Sequence, residues 1–198
     1  MKLILASQSA SRRAMLSAAG VPFEPRAAGV DEESVKASLR AEGIRPRDLA
    51  DALAELKSLK LSRAEPTALV LGSDSLVALA DGTILDKPVT REEAAAHLTA
   101  MSGGTHDLWS AAVIAEGGAP VWRHVERAKL HVRILSPAFI DSYLDAEWPA
   151  ISGCAGAFRI EGPGAQLFAS VDGSHFTVLG MPLLSVLDYL RVRGVLLS

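Results

Sequence analysis

At 198 residues the chain is long enough to bury one real core, or at most two small lobes. Its 20 basic and 23 acidic side chains leave a formal charge of −3, so no field draws it to nucleic acid polymers or to an anionic membrane. Apolar residues at 49 % and charged residues at 22 % are ordinary for a globular protein, and the lone Cys154 excludes an internal disulfide or a cysteine-built zinc site.

In chain order, Leu3 to Ala6 reads as a first buried strand. That apolar run is too short for a signal peptide or a membrane span, so the expected address is the cytoplasm. Ser7-Gln8-Ser9 breaks the strand, and Ala10 to Ala19 predicts a helix that Gly20 ends. A strand leading through a polar turn into a helix start points backbone N–H groups at any anion placed there. Arg12 and Arg13, in the first turn of that helix, oppose its dipole, which leaves phosphate contact or plain solvation as their purpose. Gly29 to Glu33 reads as an acidic turn. Pro46 to Ser62 predicts a strong helix with Leu49, Leu53 and Leu56 on one face; Lys60 continues that line and Lys57 sits at its edge.

The stretch from Leu69 to Pro88 carries the most chemistry. Ala68 to Leu71 predicts a strand that breaks at Gly72-Ser73-Asp74-Ser75, and Leu76 to Ala80 predicts a second strand ending in an Asp81-Gly82 hairpin turn. Asp74 is thus expected at a turn, and Lys87 beyond the hairpin just before Pro88. The two could face one small anionic substrate together with a metal, or simply cap a turn and sit in water. Thr90-Arg91-Glu92-Glu93 is a capping box opening a helix to about Met101. His106 to Ala115 and Val121 to Ile134 predict two long strands joined across Glu116 to Pro120. Ser136-Pro137 opens a helix to about Glu147. Then come a glycine-rich segment from Gly153 to Gly164, a strand from Gln166 to Val171, a loop at Asp172 to Ser174 and a last helix from Pro182 to Arg193.

Several chemistries are set aside. There is no Gly-x-x-x-x-Gly-Lys-Ser/Thr loop, no Gly-x-Ser-x-Gly elbow and no His-x-x-x-His pair among the five histidines. Cys154 has no evident base nearby and reads as a buried structural thiol. No repeat, low-complexity segment or linker divides the chain, which predicts a single domain over 1–198.

Six short blocks, taken together, carry a family resemblance. Leu3-Ile4-Leu5-Ala6-Ser7-Gln8-Ser9 with Arg12-Arg13 resembles the opening Leu-Ala-Ser-x-Ser-Pro-Arg-Arg of the Maf family. Val30-Asp31-Glu32 is similar to its Val-Asp-Glu, and Leu53-Ala54-Glu55-Leu56-Lys57 to its Leu-Ala-x-x-Lys. Gly72-Ser73-Asp74-Ser75 with Lys87-Pro88 resembles its Gly-x-Asp-Thr…Lys-Pro, and Met101 to His106 its Leu-Ser-Gly-x-x-His. Ala155-Gly156 to Gly162, Gly164-Ala165 and Leu179 to Leu183 resemble the family's C-terminal signature. Three positions depart from the usual pattern. Ala10-Ser11 stand between Ser9 and Arg12, a spacing similar to the branch that prefers 7-methyl-GTP. Phe158-Arg159-Ile160-Glu161-Gly162 replaces the common Tyr-x-Ile-Gln-Gly, again closer to that branch, while Ser75 replaces a threonine. Ser102 to His106 resembles the main branch instead.

The resemblance implies an α/β fold, a mixed twisted sheet flanked by helices with two lobes around a deep groove, as in inosine triphosphate pyrophosphatases. It implies attack of water on the α-phosphorus of a nucleoside triphosphate, an unusual or modified one included, giving monophosphate and pyrophosphate. Arg12, Arg13, Lys57 and Lys87 would grip the phosphates with help from Ser7. Glu32 and Asp74 would hold magnesium or manganese, with Asp74 also orienting or deprotonating the water and Lys87 assisting catalysis. Glu161 would meet the base, where a carboxylate suits the adjacent N–H donors of guanine or 7-methylguanine. Glu33 and Lys60 are expected to be solvated. As exposed charges, Arg12 and Lys87 would matter more to hydrolysis than to folding. A homodimer is what the family suggests. The competing class is a division-linked regulator that binds nucleotide or a protein partner and hardly turns over.

Overall fold

The computed structural model describes residues 2–197. The first strand is β1 (Leu3–Ala6), buried throughout. Helix α1 (Ala10–Ala18) follows, capped by the Ser9 hydroxyl, which accepts from the Arg12 N–H. A short strand β2 (Glu24–Arg26) comes next, then a helix that the acidic turn did not suggest, α2 (Glu32–Ala41). Its cap is Asp31, whose carboxylate accepts from the Ser34 N–H at 3.1 Å. Helix α3 (Pro46–Ala64) buries Leu49, Ala50, Leu53, Ala54, Lys57, Ser58 and Ser62. The buried stripe therefore runs through Lys57, not at its edge, and Lys60 lies exposed.

Strand β3 (Leu69–Leu79) is continuous where the sequence predicts a break. The expectation of a turn at Asp74 is wrong, and Gly72 shows why. A β-carbon there would stand 2.1 Å from the Ala54 carbonyl oxygen and 2.8 Å from the Ser58 nitrogen. Glycine lets α3 press on the strand; it does not bend the chain. The hairpin to β4 (Ile84–Leu85) is as expected, antiparallel, with Asp81 accepting from the Thr83 N–H.

Helix α4 (Arg91–Met101) has the expected Thr90 cap, while the Glu93 carboxylate accepts from the Val89 N–H at 2.7 Å. Strands β5 (Thr105–Glu116) and β6 (Ala119–Val132) are longer than predicted toward their shared turn, which is only Gly117-Gly118. Helix α5 (Pro137–Glu147), capped by Ser136, leads into three short 3-10 turns. Strand β7 (Phe168–Asp172), one helical turn α6 (His175–Val178) and helix α7 (Leu183–Val192) complete the chain.

Among the described residues seven strands pair in the order β2-β1-β3-β5-β6-β7, with β4 beside β3. The β1–β2 and β1–β3 pairs are parallel, whereas β3–β4 and β6–β7 are antiparallel, so the expected mixed α/β sheet is present. Packing divides the chain into two compact units. The first takes in the chain up to Ser75, Ser110–Glu126 and the segment from Leu179 on; the second holds Leu76–Trp109 and Arg127–Val178. The core of the second unit gathers Leu98, Leu130, Leu144, Ile151, Phe158 and Phe168 among others. In the first, Ile4, Ala6, Ala68 and Val70 pack together under Leu61. Among the described residues no helix is long and apolar enough to cross a membrane.

Candidate active site

In the first unit three of the expected residues, Asp74, Lys57 and Glu32, are bonded in one network and two, Arg12 and Ser7, are bonded to each other. Asp74 points from the middle of β3, Lys57 from the buried stripe of α3 and Glu32 from the first turn of α2. Lys57 Nζ donates to Asp74 Oδ1 at 2.7 Å and pairs with Glu32 Oε2 at 2.8 Å. Lys57 and Asp74 are 6 % and 8 % exposed, so neither charge is water-screened as a surface pair would be. Their closeness in space is a product of α3 packing on the sheet and has no counterpart in sequence spacing.

Arg12 feels the charges of Asp74 and Glu32 without a bond to either, and it is not the solvated side chain that its helix position suggests. It is 7 % exposed. Nε donates to the Gly180 carbonyl at 2.8 Å, Nη2 to Ser75 Oγ at 3.1 Å and Nη1 to Ser7 Oγ at 3.4 Å. Burial pulls its pKa below the ordinary arginine value, opposed by the charges of Asp74 and Glu32. The Ser7 hydroxyl also accepts from the Ser9 N–H, so Ser7 organises the loop between β1 and α1. Gly180 further accepts from Ser73 Oγ at 3.1 Å. Ser75 and Gly180 are thus positioning residues to which the sequence assigned no role, although both fall inside blocks of the family resemblance. Arg12→Ala is now expected to lower thermal stability as well as hydrolysis, by about 1–3 kcal/mol for losing buried charged hydrogen bonds. Thermal melts of the variant check this, and an unchanged melting point would return Arg12 to a purely binding role.

The remaining expected residues stand elsewhere. Arg13 is exposed on α1 and lines an open depression with Ser17, Val21, Pro22 and Phe23. In the second unit Lys87 and Glu161 are both exposed. Cys154 senses the charges of Glu161, Arg159, Lys87 and Glu147, and burial first, then Glu161, pushes its thiol pKa up, as an unreactive thiol requires. Glu33 is solvated as expected and pairs with Lys36, whereas Lys60 donates to the Gly29 carbonyl ahead of Glu32.

Two carboxylates thus converge on one ammonium, and a buried guanidinium lies at the strand-to-helix turn. The model of the family described as "Maf-like protein" matches residues 2–193, and the chain belongs to the Maf family. A protein of Sphingopyxis alaskensis named nucleoside triphosphate pyrophosphatase is 53 % identical over 195 residues, 98 % of each chain. One of Jannaschia sp. named nucleoside triphosphate pyrophosphatase 1 is 50 % identical over 194 residues, again 98 % of each. A solved HAM1 protein from Coxiella burnetii aligns with a TM-score of 0.43 at 13 % identity, covering 67 % of this chain and 73 % of its own.

Proposed function

We propose that the chain hydrolyses a nucleoside triphosphate at the α-β phosphoanhydride, releasing the nucleoside monophosphate and pyrophosphate. Family membership and the names of relatives about half identical support the general activity. The observation that carries the site assignment is the convergence of Glu32 and Asp74 on Lys57 beside Arg12.

Whether these residues fit a divalent cation can be judged from their donors. Two carboxylates already share one positive charge, and both offer the oxygen that magnesium or manganese prefers. Among the described residues no three or more acidic, histidine or cysteine side chains cluster to hold a metal alone. By donor chemistry the two carboxylates suit a hard cation whose remaining ligands would be phosphate oxygens. Glu32 and Asp74 would hold it, and bound there it would neutralise phosphate charge and acidify water.

The chain's own residues do the rest. Arg12 and Lys57 take phosphate oxygens, Lys57 exchanging a carboxylate partner for one, and Arg13 and Lys87 add exposed positive charge. Asp74 orients the attacking water and accepts its proton. A P–O bond forms to the α-phosphorus as the bridging bond breaks, and pyrophosphate leaves with the electron pair. Glu161, exposed and without a hydrogen bond or ion pair among the described residues, offers its carboxylate to the N–H edge of a guanine-type base.

Incubation with GTP and magnesium, followed by product analysis, tests this reading. Monophosphate and pyrophosphate should appear in equal amounts and stop when a chelator is added. Orthophosphate as the sole phosphate product would overturn the α-phosphorus assignment, and binding without turnover on any nucleotide of a broad panel would favour the regulator.

A further inference from the structure

We propose that Glu147 is a positioning residue, which fixes the loop carrying Glu161 by clamping Arg159. This rests on the reading of Glu161 as a substrate contact. Glu147, in the last turn of α5, is a carboxylate only 5 % exposed. Arg159 donates to its Oε2 twice, from Nε at 2.9 Å and Nη2 at 2.7 Å. A buried acid at the end of α5 needs a reason, and the loop from Ala157 to Ala165 supplies one.

That loop is wound around Arg159. The Gly162 N–H donates to the Arg159 carbonyl at 3.3 Å, and the Ala165 N–H to the Gly162 carbonyl at 3.0 Å. A β-carbon on Gly164 would lie 2.4 Å from the Arg159 carbonyl oxygen, so the chain returns directly onto the Arg159 backbone. One on Gly162 would lie 3.9 Å from both oxygens of Glu147, which places the carboxylate beneath the loop. At its entrance, Ala157 holds a φ of 58°, rare for a residue with a side chain, and its carbonyl accepts from Tyr143 Oη at 3.3 Å. Burial and the Glu147 charge both keep that phenol protonated, and so a donor. Glu161 sits between the anchored Arg159 and the anchored Gly162. Its own side chain is bound to nothing described, so its position is set by the loop and not by contacts of its carboxylate.

The clamp also explains why an arginine stands two residues before Glu161. A planar fork held by one carboxylate fixes orientation as well as place, which an ammonium in that position would not do. The Arg159 side chain keeps 37 % of its exposure, so it can turn to water when its partner is lost and the fold need not collapse.

The test is a double-mutant cycle on the whole chain, with GTP and UTP as probes. Glu147→Gln should raise KM for GTP about tenfold with kcat within about twofold, since a displaced contact weakens binding more than chemistry. In the Glu161→Gln background the same change should alter kcat/KM by less than about twofold, because residues acting as a unit are not additive. An equal loss in both backgrounds, a loss confined to kcat, or a silent Glu161→Gln would overturn the proposal. A second measurement needs no turnover: the pH dependence of Cys154 alkylation by iodoacetamide in Arg159→Lys, which keeps every charge but loses the fork. A displaced Glu161 and a displaced cation should shift the thiol's apparent pKa from the parent's, and an unchanged profile would overturn the clamp. Base reading is judged separately. If Glu161→Gln depresses GTP and UTP alike while the cycle remains non-additive, Glu161 contacts something other than the base and Glu147 still positions it.

Discussion

Asp74→Asn should lower kcat by about two orders of magnitude or more, the usual scale for losing a catalytic carboxylate or metal ligand. The substitution keeps the shape of the side chain and one oxygen toward Lys57, while Lys57 retains its pair with Glu32 at 2.8 Å. The ammonium is therefore not stranded, and the stability loss should stay below the about 3–5 kcal/mol typical of breaking an isolated buried pair. Turnover per folded molecule, measured well below the melting point, separates the two effects. Glu32→Gln is the internal control. Its side chain is 38 % exposed, so it should cost less stability while raising the magnesium concentration needed for half-maximal rate. An Asp74→Asn protein with kcat within about threefold of the parent would make Asp74 a scaffold residue that neutralises Lys57.

How far the sequence foretold this site depends on the residue. The mixed sheet, the hairpin before Lys87 and the capped starts of α4 and α5 were legible because they rest on local chemistry: alternation, a turn pair, a serine or threonine cap. The unbroken β3 was not legible. A glycine followed by three small polar residues looks like a turn, and only the helix pressed on Gly72 shows that its role is close approach. Helix α2 was missed although its signals were present, a capping aspartate and two acids in the first turn. It buries no residue fully, so it lacks the apolar stripe that marks a helix. The stripe misled in the opposite way on α3, where Lys57 occupies a core position because two acids from other elements neutralise it. Arg12 was beyond local reading altogether. Its partners Ser75 and Gly180 reach it from β3 and from the approach to α7, and nothing near Arg12 in sequence announces them.

His106 should give the fold an acid-sensitive step. The ring is 1 % exposed and packs against Phe158 and Phe168 at 5.7 and 6.0 Å between centroids. Neither ring nitrogen has a hydrogen-bond partner among the described residues. Burial pulls its pKa down to about 4 from an ordinary 6.5, with the Asp107 charge only partly opposing. The sign follows directly. Between these values the unfolded chain holds a proton on His106 and the folded chain does not, so acid favours unfolding. Stability conferred by the neutral ring is fully present above about pH 6.5 and is lost as pH falls toward about 4, roughly 3 kcal/mol over that window. Phe158 immediately precedes Arg159, so the His106 ring packs on the residue that leads into the Glu161 loop. Denaturant midpoints from pH 7 to 4 for the parent and His106→Leu provide the measurement. Other groups titrate in both proteins, and the difference between the curves isolates the imidazole. The parent should lose about 3 kcal/mol more than the variant across the window. Parallel curves would mean that the folded protein accepts the proton on His106 as readily as the unfolded chain does, and the ring would then be no source of acid sensitivity.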